Sequence, residues 1–302
     1  MRSLIQIGGK QLRITGRVVR IGRLEAEGYQ FVDDPAPLLE ELRRSRTRVD
    51  LFTFMQRLPK TSPEFSYPME WDNFAALPVS TFDHWWNEQI GFKARNKAKQ
   101  AEKKKIVIRE VPFDDVLVKG IWEVYNESAI RQGARNSHFG KDIETVHREE
   151  ATFLDSSVFI GAFLDDSLVG FIKLVHDETK TQAGMMNIVS MVRHRDKAPS
   201  NALVAQAVKS CAERGIQYLV YSKFAYGTKE HSSLTDFKER NGFQKIEVPR
   251  YYVPLTHAGR VFYQLGMHKK FADRFPEPVK AKLRELRTAW YTRKSRSATE
   301  AS

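Results

Sequence analysis

The stretch from Lys197 to Leu255 constrains this chain most. A glycine-free loop, Lys197-Ala-Pro-Ser-Asn201, leads into a helical pattern over 202–214, where Val204, Ala207, Val208, Cys211 and Ala212 form one apolar stripe. Gly215 stops that helix, and Ile216 to Tyr221 reads as a short strand. A second helix follows over Leu234 to Asn241, then a long strand over Phe243 to Leu255. Upstream, Val158 to Leu164 and Leu168 to Val175 are apolar strands joined by Asp165-Asp166-Ser167, a hairpin signature, and Gly184 to Met191 is a third strand. A meander followed by helix, strand, helix and strand requires a mixed sheet with helices packed on it.

Elsewhere the signals are weaker. Gln11 to Ile21 alternates in part as a strand, Asp34-Pro35 opens a helix through Arg46, and Val49 to Gln56 is a buried strand. The prolines at 59, 63 and 68 make 57–70 a loop. Thr81 is placed to cap one long helix from Phe82 to Glu102. Ile106 to Val111 follows as a strand, then helices over Phe113 to Gln132 and Lys141 to Leu154. Val279 to Tyr291 reads as an amphipathic helix carrying Leu283, Leu286 and Trp290.

The net charge of +12 is concentrated. Residues 93–109 carry +7 and residues 266–302 carry +6, so the remaining chain is close to neutral. Two basic patches on a neutral body suit a polyanionic partner, although a merely solvated face explains each of them equally well. No apolar run reaches the length of a membrane span, and the first residues lack a signal-peptide core; a cytoplasmic protein is expected. The single Cys211 excludes an intramolecular disulfide and lies on a core stripe, and no His/Cys/Asp/Glu cluster has metal-ligand spacing.

Three segments carry a resemblance: Trp86 with Arg95-Asn96, Arg131-Gln-Gly-Ala134, and Phe237-Lys238 followed by Asn241-Gly-Phe243 and Arg250-Tyr-Tyr252. Together they resemble GNAT-superfamily acyltransferases of the FemAB-like and CelD-like branch, over roughly residues 80–256. The resemblance implies an α/β (α+β) fold, with a central mixed twisted sheet flanked by helices. It also implies a degenerate GNAT-like half at 1–80, an acyltransferase domain at 81–256 and a basic helical tail at 257–302. It makes Lys238, Phe237 and Tyr252 the catalytic candidates. Arg193, Arg195, Lys197, Ser200 and Asn201 are the donor-binding ones, with Ser200 as helix cap, and Arg95 and Arg131 are acceptor-binding. Donor loops in coenzyme A enzymes of this type are glycine-rich, because bare backbone amides approach the pyrophosphate closely. The absence of glycine from 193–201 disfavours coenzyme A and leaves aminoacyl-tRNA beside acyl-CoA as donor.

The expected reaction is amide formation on an amino group. The expected partners are a polyanionic donor, tRNA or coenzyme A, at 93–109 and 266–302, with peripheral contact to an anionic membrane as a further expectation. Two other readings stay open: an acetyl-CoA enzyme acting on a small amine, and a non-catalytic protein on the same scaffold that binds nucleic acid or an anionic membrane. His194 and His231 are candidate bases in the same loops, with polar surface the commoner role for such histidines.

Overall fold

The computed structural model describes residues 2–131, 134–224 and 232–269. The tail helix at 279–291, nearly all of the second basic patch, His231 and Gly133 lie outside the described residues.

The chain begins with a meander, β1 (Arg2–Ile7), β2 (Lys10–Thr15) and β3 (Ile21–Leu24), followed by α1 (Pro35–Arg44) and β4 (Leu51–Met55) parallel to β3. Asp34 caps α1 by accepting the Ala36 N–H, and Leu38, Leu39 and Leu42 form its buried stripe. After β5 (Met69–Pro78) come the single turn α2 (Phe82–His84), α3 (Phe92–Lys103), β6 (Val107–Val111) and α4 (Asp115–Asn126). The two-residue strands β7 (Ile130–Arg131) and β8 (Ala134–Arg135) and the helix α5 (Ile143–Glu150) follow. A second meander, β9 (Ser157–Leu164), β10 (Ser167–His176) and β11 (Gln182–Ser190), leads to α6 (Pro199–Glu213) and to β12 (Tyr218–Val220), parallel to β11. The chain then runs through α7 (Ser233–Arg240), β13 (Gln244–Pro254) and α8 (His257–Gln264).

Among the described residues eleven strands form one sheet in the order β1-β2-β3-β4-β13-β5-β12-β11-β10-β9-β6. Meander, helix and parallel strand therefore occur twice, and the strand after each unit crosses over. β5 follows β4 but pairs with β12, and β13 follows β12 but pairs with β4 over Arg250–Pro254. The two central strands also pair with each other from Gln244↔Ala76 to Tyr251↔Met69, which fuses both units into one sheet. One large core surrounds α4 and α6, and a second, built on Phe52, Phe54 and Tyr251, lies under α1.

Several local expectations change. Two strands, β2 and β3, replace the single one at 11–21, and β5 starts inside the proline-rich stretch at Met69. The long helix at 82–102 is broken. A π turn over Trp85–Gln89 closes with Ile90 N–H bonded to the Trp85 carbonyl, and Gly91 N–H goes to the Arg240 carbonyl at 2.8 Å. The C-terminus of α7 thus takes the bond that would have continued the helix, and Trp85 Nε1–H, fully buried, donates to the Asn241 carbonyl. The helix expected through Gln132 stops at Asn126, and the hairpin turn is tighter than expected, with only Asp165 and Asp166 between paired ends, both at positive φ.

Candidate functional site

β11 and β12 pair only from Gln182↔Tyr218 to Gly184↔Val220. Beyond that point they separate. The continuation of β12 stays on β5, with Tyr221 N–H on the Ala75 carbonyl and Ala75 N–H on the Ser222 carbonyl. β11 runs on to Ser190 beside β10, with a bulge at Met186 where the register jumps from Lys173↔Asn187 to Leu174↔Met185. The opening between the two parallel strands holds a cavity of about 740 Å³.

Four elements bring charge to it. α3 presents Lys93 and Lys97, because its buried stripe is Ala94, Ala98 and Ala101 and the lysines fall on other faces. Arg240 comes from the end of α7, and Arg195 from the 3₁₀ turn Val192–Lys197. Arg131 enters from β7, donates through Nη2 to the Ser190 carbonyl at 2.6 Å, and keeps Nη1 buried with no hydrogen-bond partner. Burial pushes the Arg131 pKa down, Glu127 opposes that shift, and Arg195 adds to it. Among the described residues lining the cavity there are five Lys/Arg and no Asp or Glu.

The N-terminus of α6 opens on the same space. Ala198 occupies the N-cap position in a left-handed conformation, φ 54°, with no side-chain cap, and Pro199 follows at the first helical position. Ser200 is therefore not the cap; its hydroxyl meets that of Ser190 at 2.9 Å. The turn before it is pinned by Glu127, whose two oxygens accept the Val192 and Arg193 N–H groups at 3.0 Å each. That anchor, from the end of α4, had no sequence signal, because one glutamate at a helix end is common.

Lys238 lies just behind the apolar side of the cavity. Phe237 lines the wall and meets Tyr221 edge to face. Lys238 itself is fully buried, donates to the Lys223 carbonyl, and holds its ammonium 4.9 Å from the centre of the Tyr221 ring. Burial pushes its pKa down from the ordinary 10.5 to about 8.

Of the sequence candidates, Phe237, Arg131, Arg195, Ser200 and Asn201 line this cavity; Lys238 is not a lining residue, but its ammonium packs on Tyr221, which is. Four others lie away from it. Tyr252 sits on the β4 side of β13, opposite Thr53, packed on Tyr263 and His268. Burial there raises its pKa to about 12. Arg95 donates to the Asn87 and Ile90 carbonyls and closes the end of the π turn. Arg193 lays its guanidinium on the Met191 sulfur, and Lys197 pairs with Asp196 at 3.6 Å. His194 also lies outside the lining, and burial holds it below the usual histidine range. Sequence reasoning missed Tyr221, Ser190, Arg240 and Asn241 as lining residues. Asn241 is fully buried, donating to the Phe237 carbonyl at 2.7 Å, so its place after α7 was the available signal.

No family model matches the sequence, and no curated protein matches it. Solved structures do. The C-terminal domain of a protein described as a lysylphosphatidylglycerol synthetase from Agrobacterium fabrum superposes with a TM-score of 0.57 at 12% identity, over 87% of each chain. L-PGS from Bacillus licheniformis gives 0.57 at 13% identity over 88% of each chain. FemX gives 0.50 at 12% identity, over 88% of this chain and 90% of that one. The fold is GNAT-like. It is a large mixed sheet flanked by helices, opened between two parallel strands. Among the described residues no group of side chains could hold a metal ion, and no helix is long and apolar enough to cross a membrane.

Proposed function

We propose that the protein forms an amide bond, moving an acyl or aminoacyl group from an activated, phosphate-bearing donor to an amino group of its acceptor. The observation that carries this reading is the cavity at the parted strands, lined among the described residues by Lys93, Lys97, Arg131, Arg195 and Arg240 and by no carboxylate. Such a surface favours an anion, and the uncapped N-terminus of α6 adds partial positive charge. Aminoacyl-tRNA and acyl-CoA both bring phosphates joined to a reactive carbonyl. The likeness to proteins described as lysylphosphatidylglycerol synthetases makes an aminoacyl donor the first to test.

In the proposed reaction the acceptor nitrogen attacks the donor carbonyl carbon, and the C=O electron pair moves onto oxygen. Collapse of that intermediate breaks the ester C–O or thioester C–S bond. The proton lost by nitrogen goes to the departing oxygen or sulfur. Lys238, charged at neutral pH with a pKa of about 8, is the group assigned to offset the oxyanion.

With this reading go a cytoplasmic location and contact between the basic residues 93–109 and a tRNA or an anionic membrane. Residues 1–80 are taken as a degenerate GNAT-like half, 81–256 as the acyltransferase domain and 257–302 as its basic tail. Single-turnover transfer from a panel of aminoacyl-tRNAs and acyl-CoAs tests the proposal. A labelled amide product that Lys238→Ala abolishes supports it; no product from any donor, or a product indifferent to Lys238→Ala, refutes it.

A further inference from the structure

β12 keeps to the backbone ladder of β5 as far as Ser222, where the chain turns through a left-handed φ of 51°. The next two residues are held by side chains. Asp72 of β5 takes the Lys223 ammonium on both carboxylate oxygens, at 2.7 Å each, and its neighbour Asn73 accepts the Phe224 N–H through Oδ1 at 2.8 Å. Between those two anchors lies the Lys223 carbonyl, the acceptor for the Lys238 ammonium.

Asp72 is itself fixed from behind. Arg250 of β13 donates through Nε to Asp72 at 2.8 Å and grips Glu27 with both terminal nitrogens, at 2.7 and 3.0 Å. Asp72 is buried and Arg250 is largely so, and the charges of Glu27, Asp72, Lys223 and Arg250 cancel.

From this geometry we infer that Asp72 and Asn73 are positioning residues for Lys238: they hold the Lys223 carbonyl that fixes where its ammonium stands beside the cavity. The inference rests on the reading of Lys238 as the group that meets the oxyanion. Neither residue lines the cavity; Asn73 acts through the main chain at Phe224, and Asp72 through the side chain of Lys223. Among the described residues, the other charged groups on α7 are Asp236, Glu239 and Arg240, and α3, packed against it, carries Lys93, Arg95, Lys97, Lys99, Glu102 and Lys103. Asp236 and Arg240 pair with each other at 3.6 Å, and burial is what lowers the Lys238 pKa. Displacing the Lys223 carbonyl opens that pocket to water and moves the pKa back toward 10.5.

The test compares Asn73→Ala and Asp72→Asn with Asn73→Asp, which keeps an acceptor oxygen. The full chain is labelled with ¹³C at lysine Cε, and the Lys238 signal is assigned by its loss in Lys238→Arg. Asn73→Ala is expected to raise the Lys238 titration midpoint, and Asn73→Asp to restore it toward the parent value. In transfer assays Asn73→Ala lowers kcat by about tenfold, with KM for the donor nearly unchanged. Parent-like midpoints and kcat in folded Asn73→Ala and Asp72→Asn, alongside an inactive Lys238→Ala, overturn the positioning role and leave the transferase reading intact. A fully active Lys238→Ala overturns both. If Asn73→Ala does not fold, Asp72→Asn and Lys223→Met, which releases the Asp72 anchor, give the same decision from their midpoints.

Discussion

Replacing Lys238 by Met should change how stability depends on pH, in a direction opposite to that of most lysines. A lysine that gains an ionic partner has a raised folded pKa; Lys238, buried against a carbonyl and a ring, has one lowered from 10.5 to about 8. Near pH 7 it is protonated in both folded and unfolded chains, and the folded state bears the full cost of a buried ammonium. Between pH 8 and 10.5 the unfolded chain holds a proton that the folded chain has released, so stability rises with pH. At 1.36 kcal/mol per pKa unit, the full swing is about 3 kcal/mol. The Met variant has no such swing, but it strips the donor from the Lys223 carbonyl, which costs about 1–3 kcal/mol at every pH. Urea denaturation of both proteins at pH 7, 8, 9 and 10 gives the difference curve. Lys173, also lowered to about 8 by burial, is common to both and cancels, as do the buried tyrosines. The wild type should gain about 2–3 kcal/mol on the variant across this range. A flat difference curve would refute the buried-ammonium account of Lys238.

Three further outcomes are expected. Arg131→Ala should weaken binding of whichever phosphate-bearing donor calorimetry detects by about 10- to 150-fold, since a charged hydrogen-bond donor in the cavity is worth about 1.5–3 kcal/mol; unchanged affinity would remove Arg131 from the site. Gly259→Ala should cost about 3 kcal/mol in thermal denaturation, because a Cβ there would stand 1.8 Å from the Asp50 carbonyl oxygen and force α8 off β4. Cys211, fully buried with its thiol pushed up to about 12, should not react with Ellman's reagent in the native protein and should titrate fully in urea.

The second meander, α6 and α7 were legible because each has a local cause. Apolar alternation marks β9 and β10, the i, i+3, i+4 stripe marks α6, and Gly215 and Gly242, both at positive φ, mark the helix ends. Five residues singled out by the resemblance, Arg131, Arg195, Ser200, Asn201 and Phe237, lie on the wall of the parted-strand cavity. Tyr252 shows why another candidate lies elsewhere. It lies two residues past Arg250, on the strand expected over Phe243 to Leu255, yet the crossing of β5 and β13 carries that end of the strand to β4. Alternation tells which face a side chain takes, never which part of an eleven-stranded sheet it reaches.

By itself, then, the sequence determined the elements of the second unit, the cationic character of α3 and the lysine on α7, all consequences of composition and spacing within a few turns of chain. Tertiary structure alone decided what those charges face. Arg131 enters the cavity because β7 turns back toward Ser190, whereas Arg95, one turn into a lysine-rich helix, is spent on the carbonyls of its own broken start. The carbonyl that receives Lys238 is set by Asp72 and Asn73, about 150 residues upstream, through contacts that exist only once β5 has crossed to β12. Charge is written locally, but its burial and its partners depend on long-range pairing that no local pattern encodes.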